Sequence, residues 1–354
     1  MITAWFCVVS FMLIVYVALD GRNFGVGMLH WIVARTPEER RQVVAAVGPL
    51  WPWHEVWLVA FGGTLVCVFP RLMAVAFSGY YLALMLILWC LLLRAMSLEV
   101  GGHINDKMWQ GFWDFVFVFS STLLAILFGA AGGNMARGVP LDEAGNFSVS
   151  FFTDFSPWGS NPPGNVGILD WYTVSVAVFA TVMLAAHGAN YLTLKTEGPV
   201  HDRSEKLANG LWLAIVPLLA IVTLETYIVR PQFLPQAEGN PLTWLGILVI
   251  IASAIAIFTG LRQRHEARAF LGGNFLIGGM LGTGAATIYP VMLYSTYKPE
   301  NSLTAVATAA GPGSLYIATF WWPIALAMTA GYFVFISRQY TGKVSAKRDT
   351  PGYH

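Results

Sequence analysis

Charge is what this sequence has least of. Lysine, arginine, aspartate and glutamate make up 11% of its 354 residues, against 56% hydrophobic and 14% aromatic ones. A soluble globular domain carries about 25% charged residues, and a large soluble core could not keep its surface hydrated with so few. The scarcity excludes a soluble fold and leaves an integral membrane protein, in line with a mean hydropathy of +0.61. A net charge of +1 offers little to the phosphates of a nucleic acid, so no nucleic-acid partner is expected.

Cysteine is nearly missing too. Cys7, Cys67 and Cys90 lie in apolar runs without CxxC spacing. They are expected to be small buried hydrophobes rather than disulfides or a metal site. Paired histidines are absent. His103, His201, His265 and His354 fall in predicted loops or the tail, and His30, His54 and His187 in or near helices, with no pair at i, i+3 or i, i+4. Histidine and methionine are common axial haem ligands, but hydrogen-bonded packing histidines are the expectation here. No haem or metal site is read in this chain. There is no GxSxG, P-loop, HExxH or GxGxxG motif. "GRNFGVG" follows no strand, so its glycines favour close helix packing instead. No cleavable signal peptide is expected, because Met1-Ile2-Thr3-Ala4 lacks a positive n-region and the first apolar run is too long.

What is present is a series of apolar runs. A spanning helix needs about 20 apolar residues. Nine runs qualify, at 3–33, 54–69, 73–97, 112–136, 169–194, 208–229, 242–261, 270–293 and 315–337. The predicted fold is an all-α membrane protein with nine transmembrane helices. The second run is short and meets Phe69-Pro70-Arg71, which predicts a hairpin link. With the N-terminus outside, fifteen lysines and arginines fall on inner segments and four (Arg71, Arg137, Arg230 and Lys298) on outer ones. That bias supports both the count and the orientation, with a cytoplasmic C-terminus. Four helices then lie within 1–137, an outer-face loop at 138–168, five helices within 169–337, and a tail at 338–354. "RTPEER" at 35–40 carries a capping box with proline at the first helical position, so a short interfacial helix should start there. The loop at 138–168 reads as ordered turns or a lid. "LDGRNF" in the first helix and "AHGANY" in the fifth share Gly-x-Asn-aromatic, a faint internal echo.

Ionisable residues inside spans are costly, about 2.5–3.5 kcal/mol each on insertion scales. The set here is Asp20, Arg22, Glu55, Arg94, Glu99 and Asp114, with His54 and His187. On the topology above all lie toward the inner side; Asp20, for example, is about 26 Å below the outer end at 1.5 Å per residue. Either an internal network open to the cytoplasm or an interfacial belt of salt bridges would fit.

The residues also resemble a known family, subunit II of the cytochrome bd quinol oxidases. The resemblance runs through "ALDGRNFGVG", "EERR", "GPLWPWHEVWL", "FSGYYLAL" and "LRAMSLE", then "FWD" at 112–114 and "GAAGGNMARGVPLD" at 129–142. "HGANYLTLKTEG" at 187–198, "YPVMLYS" at 289–295, "SLT" at 302–304 and "GKV" at 342–344 follow in family order. The resemblance implies two four-helix bundles plus a peripheral ninth helix. It implies a partner, subunit I, carrying haem b, haem d and the quinol site, and no haem in this chain. It also implies a bacterial or archaeal cytoplasmic membrane, lipid contacts, a bound quinone as a further candidate partner, and a proton path from the cytoplasm.

On that reading Asp20, His54, Glu55, Glu99 and Asp114 are proton-path candidates, and Arg22, Arg94 and His187 form a structural polar network. Two departures stand out. Arg22 and Asn23 replace an aromatic residue and a second aspartate of the family pattern, and Pro52-Trp53-His54 replace Asp-Gly-Asn. "TAAG" at 308–311 replaces a more polar stretch. Arg22 is expected to pair locally with Asp20 and hold it ionised. The rival classes are a secondary transporter, which would move substrate alone, and a membrane subunit binding haem through His54 or His187.

Overall fold

The computed structural model describes residues 1–153 and 166–345. Residues 154–165 of the predicted outer loop, and Lys347, Arg348 and His354 of the tail, lie outside them. A continuous helix α1 (Ile2–Val33) is followed by α2 (Pro37–Val47), α3 (Trp51–Val68), α4 (Pro70–Gly79), α5 (Tyr81–Val100) and α6 (Lys107–Arg137). Then come α7 (Trp171–Lys195), α8 (Pro199–Val229), α9 (Phe233–Glu238), α10 (Pro241–Arg262), α11 (Glu266–Ile288), α12 (Ala305–Thr308) and α13 (Pro312–Gln339). A small antiparallel pair, β1 (Val291–Leu293) and β2 (Leu303–Thr304), sits between α11 and α12.

Among the described residues eight helices are long and apolar enough to cross a membrane: α1, α5, α6, α7, α8, α10, α11 and α13. The pair α3–α4 passes the same test together but bends by 117°. The hairpin expected at Phe69-Pro70-Arg71 is therefore corrected to a bend. Phe69 leaves helical geometry at φ −127°, ψ 59°, and Pro70 brings no N–H to continue the ladder. The predicted run 73–97 is in fact two helices parted at Tyr80, with α4 burying Leu72 and Val75 beside Phe147 and Leu303. The predicted run 270–293 stops as helix at Ile288, because Pro290 ends it and β1 begins at Val291. Helix α8 begins at Pro199 rather than 208, its polar "HDRSEK" turns extending beyond the apolar run.

The capping box is present: Glu39 N–H donates to Thr36 Oγ1, and Thr36 N–H donates to Glu39 Oε2, both at 3.3 Å. Buried Cys90 matches its expectation, but Cys7 and Cys67 are exposed. A thiol is apolar enough to lie on a hydrocarbon-facing surface without a partner.

Helix α1 runs through the centre and packs on α3, α6, α7 and α11. Around it α5 packs on α6, α8 on α7, and α10 on α11. The α1–α7 crossing is close because both helices lack side chains there. A Cβ on Gly25 would lie 2.0 Å from Leu184 O, and one on Gly188 would lie 2.4 Å from the Gly25 carbonyl carbon. Gly188 belongs to the "AHGANY" echo and Gly25 follows "LDGRNF" by one residue, so the echo marks this crossing. Helix α13 lies at the edge, its apolar stretch unburied. It touches the rest through Trp53–Tyr332 and Trp5–Trp322, with ring centroids 3.9 and 6.1 Å apart. Beyond it the chain returns across the face that holds Val33: Val344 N–H donates to Lys195 O at 2.6 Å, and Gln42 Nε2 to Val344 O at 2.7 Å.

Candidate functional site

Three helices bring five of the predicted polar residues together. Helix α1 supplies Asp20, Arg22 and also Asn23; α3 supplies His54 and Glu55; α5 supplies Arg94. The Arg94 guanidinium donates through Nη1 and Nη2 to the two oxygens of Asp20, each at 2.9 Å. Its Nη2 also donates to Glu55 Oε1 at 2.6 Å. The side chains of Arg94 and Asp20 are fully buried and that of Glu55 is 24% exposed, so Glu55 is where the network meets its surroundings. Phe24 lies 4.8 Å under the Arg94 guanidinium. The fork geometry lets one arginine serve two carboxylates at once.

Asn23 Nδ2 donates to Asp20 Oδ1 at 2.8 Å and lies 2.7 Å from His54 Nδ1. On the other side of the ring, Arg22 Nη2 lies 2.7 Å from His54 Nε2. Its guanidinium sits 4.6 Å over the Tyr191 ring and 5.6 Å over Phe270, a cation–π seat for a buried charge. The expected local pair of Arg22 with Asp20 is thus corrected: Asp20 pairs with Arg94, and Arg22 with His54. Residues two apart on a helix point about 200° away from each other, while Asp20 and Asn23 share a face. The two departures from the family pattern, at 22–23 and at 52–54, therefore touch each other. Two carboxylates and two guanidiniums balance when all four are ionised.

The other predicted residues lie apart. Asp114 accepts from Arg40 Nη1 at 2.8 Å and is 2.9 Å from His30 Nε2. His30 is ten residues beyond Asp20, about 15 Å along α1. Trp51 Nε1 donates to Glu99 Oε1 at 3.3 Å. His187 Nε2 donates to Ala18 O at 3.1 Å, and its ring stacks on Phe270 at 5.2 Å. Buried His30 therefore has an acid partner that its sequence position did not announce.

A neutral imidazole has one lone pair. Both nitrogens of His54 are engaged, whereas His30 and His187 use Nε2 and keep Nδ1 buried without a partner. Among the described residues no group of three His, Cys, Asp or Glu side chains could hold a metal ion.

A second buried cluster, at the face holding Met1, escaped the sequence reading. Arg137 pairs with Asp170 and donates to Asn134 Oδ1 at 2.6 Å and to Gly167 O at 3.0 Å. Arg230 donates to Ala136 O at 3.0 Å and covers the Tyr294 ring at 4.2 Å. Nearby on α8, Glu225 accepts from Ser175 at 3.0 Å. Buried charge is therefore not confined to the Val33 face. The signal was available in "LETYIVR", an acid inside an apolar run.

Fold and site together define a class: a multi-span helical membrane protein that buries a charge-balanced network toward one face. Within that class, the chain belongs to the cytochrome bd terminal oxidase subunit II family, which it matches over residues 1–339. It is 27% identical over 327 residues to the probable cytochrome oxidase subunit 2 of Haemophilus influenzae, covering 84% of this chain and 83% of the relative. It is 26% identical over 323 residues to the cytochrome bd ubiquinol oxidase subunit 2 of Bacillus subtilis, covering 88% of each. The cytochrome bd-I ubiquinol oxidase subunit 2 of Escherichia coli K12 is 26% identical over 331 residues, 85% of this chain and 83% of the relative. Its fold is similar to a chain of the bd oxidase from Geobacillus thermodenitrificans, with TM-score 0.71 at 14% identity over 96% of this chain and 99% of that one. The protein is a subunit of an oxidoreductase complex, in the role of subunit II.

Proposed function

We propose that this chain supports subunit I of a bd-type quinol:O2 oxidoreductase in a bacterial or archaeal cytoplasmic membrane and lines a proton path from the cytoplasm. In this reading haem b, haem d and quinol oxidation belong to subunit I, and lipid and a bound quinone are further contacts. The chain crosses the membrane nine times, with α3–α4 as one bent crossing, and Met1 lies outside. Helices α1, α3, α5 and α6 form one four-helix bundle and α7, α8, α10 and α11 the second, with α13 peripheral. Support for the crossings comes from the lysine and arginine bias of the loops, and the two bundles meet where α7 packs on α1 and α6.

The observation that carries the proton role is the buried Asp20–Arg94–Glu55 network, whose partly exposed end is Glu55. Reducing O2 to water consumes four protons, which must reach a buried haem. Asp20, His54 and Glu55 form the inner segment of the path. Asp114, held by His30 and Arg40, is a separate entry point at the Val33 face, and Glu99 flanks α3 through Trp51. Arg22, Arg94 and His187 hold the segment in place.

The test is Asp20→Asn in the purified complex. The expected result is oxidase turnover lowered by about a hundredfold, the scale of a lost proton-transfer group, with haem absorbance per complex unchanged. Turnover equal to wild type in an intact complex would remove Asp20 from any required path.

A further inference from the structure

The contacts at the centre of this network cannot all be hydrogen bonds while Asp20 is ionised. An arginine keeps its proton at any ordinary pH. Arg22 Nη2–H can therefore only donate to His54 Nε2, at 2.7 Å, and that nitrogen must present its lone pair. A neutral imidazole then carries its proton on Nδ1. Nδ1 lies 2.7 Å from one atom of the Asn23 amide, and the same atom lies 2.8 Å from Asp20 Oδ1. A nitrogen at that junction would set one donor against another. An oxygen there accepts from Nδ1–H, but it then faces a carboxylate oxygen and needs a proton between them. Which end of an amide faces a partner follows from the hydrogen bonds it can make. With nitrogen at the junction, Asn23 Oδ1 is buried without a partner.

We infer that Asp20, Asn23, His54 and Arg22 form a one-proton switch in which the Arg22–His54 contact exists only when Asp20 is protonated. In the protonated state the Asp20 hydroxyl and His54 Nδ1–H both donate to Asn23 Oδ1, and Arg22 docks on Nε2. Arg94 keeps Glu55 as its counter-ion at 2.6 Å. In the deprotonated state Asn23 turns its nitrogen to the junction and donates to the Asp20 carboxylate and to His54 Nδ1. The imidazole then carries its single proton on Nε2, and the Arg22 guanidinium, which stays over Tyr191 and Phe270, turns its Nη2–H away from the ring. The two states differ by one proton, exchanged with the Val33 face past Glu55.

The titratable and charged groups facing Asp20 and His54 are Tyr16 and Arg22 on α1, Glu55 on α3 and Arg94 on α5. Helix α6 presents Phe128 here, and α7 presents Leu184, Tyr191 and the His187 ring. Arg22 and His54 are positioning residues in this scheme. It deepens the proton role proposed for Asp20, on which its use in turnover rests.

Infrared titration of the assembled oxidase, grown with carbon-13-labelled aspartate, tests it. The expected spectrum holds a protonated carboxyl band that shifts with the label, disappears in Asp20→Asn and titrates with pH. In His54→Asn that titration moves by about one pH unit, a tenfold change in proton affinity. Should Asp20→Asn fail to assemble, Asp20→Glu keeps a carboxyl that the aspartate label no longer shifts. Absence of an Asp20 band at every pH where the complex keeps its haem absorbance overturns the switch. A band that titrates identically in wild type, His54→Asn and Arg22→Gln also overturns it. If Asp20→Asn retains full turnover while the wild-type band titrates and moves as described, the switch stands and the proton-path role falls.

Discussion

At the residue scale, Arg22 and His54 carry the most specific information. Each departs from the family pattern, and each is the other's partner at 2.7 Å. Removing one alone has unequal consequences. His54→Asn leaves the buried Arg22 guanidinium without its ring acceptor, whereas Arg22→Phe leaves a neutral imidazole that can change tautomer. An unpaired buried cation is the costlier of the two. His54→Asn is therefore expected to lower the melting temperature of the complex more than Arg22→Phe, and the double variant to recover part of the loss. A thermal-shift double-mutant cycle should return a coupling of about 0.5–3 kcal/mol; additive losses would mean that the two residues do not interact. The eight polar positions were legible in the sequence as charges and histidines within apolar runs. Their grouping was not. Adjacent charges in sequence suggest a local pair, but helix geometry points Asp20 and Arg22 apart, and Arg94 reaches Asp20 from 74 positions away.

At the element scale, glycine and proline decide how the helices meet. Gly25→Ala would place a methyl 2.0 Å from Leu184 O, a clash with backbone that no rotamer relieves. It should destabilise the complex by about 1–3 kcal/mol. Gly210→Ala, with nothing within 4 Å of the added carbon, should stay within about 0.5 kcal/mol. Equal melting temperatures for the two variants would show that the α1–α7 crossing is looser than the geometry requires.

Helix α2 gives a pH-dependent case. Arg203 donates to both oxygens of Glu39, at 2.8 and 3.1 Å. That bonding, helped by the Arg35 and Thr36 N–H groups and opposed by burial, holds the Glu39 carboxyl at about 2 instead of its ordinary value near 4.5. A depressed carboxylate pKa stabilises the fold at pH above the ordinary value and loses that contribution as pH falls toward the folded one. Wild type should therefore be more stable than Glu39→Gln at neutral pH, with the gap closing between about pH 4.5 and 2. Melting curves of both proteins across that window test it; a gap independent of pH would assign the difference to packing. The α2 cap was legible because "RTPEER" contains its own partners. The bend at Phe69 was only half legible, since a proline marks a break but not the angle, which the packing of α4 on Phe147 and Leu303 sets.

At the scale of the whole molecule, the proposed number of crossings and their proposed direction rest on where the chain keeps its cations. The inner assignments and the four outer ones alternate loop by loop, and an odd number of crossings is needed to keep them so. Eight straight helices alone would put the two termini on the same side; counting α3–α4 as one bent crossing restores the alternation. Charge patterning depends on loop composition and not on which side chains touch, so the proposed topology rests on the sequence alone. The orientation predicts which faces meet the aqueous phase on each side. Glu143 is 81% exposed beside Lys298 at the Met1 face, and Asp202 is 71% exposed at the Val33 face. In a background with Cys7, Cys67 and Cys90 changed to alanine, a membrane-impermeant maleimide added to intact cells should label Glu143→Cys and not Asp202→Cys. Permeabilised cells should label both. The reverse pattern would invert the chain and place the Asp20 network's open end outside, away from the cytoplasmic protons that the proposed role requires. Labelling of both sites from outside would show that α7, the one long helix between them among the described residues, does not cross.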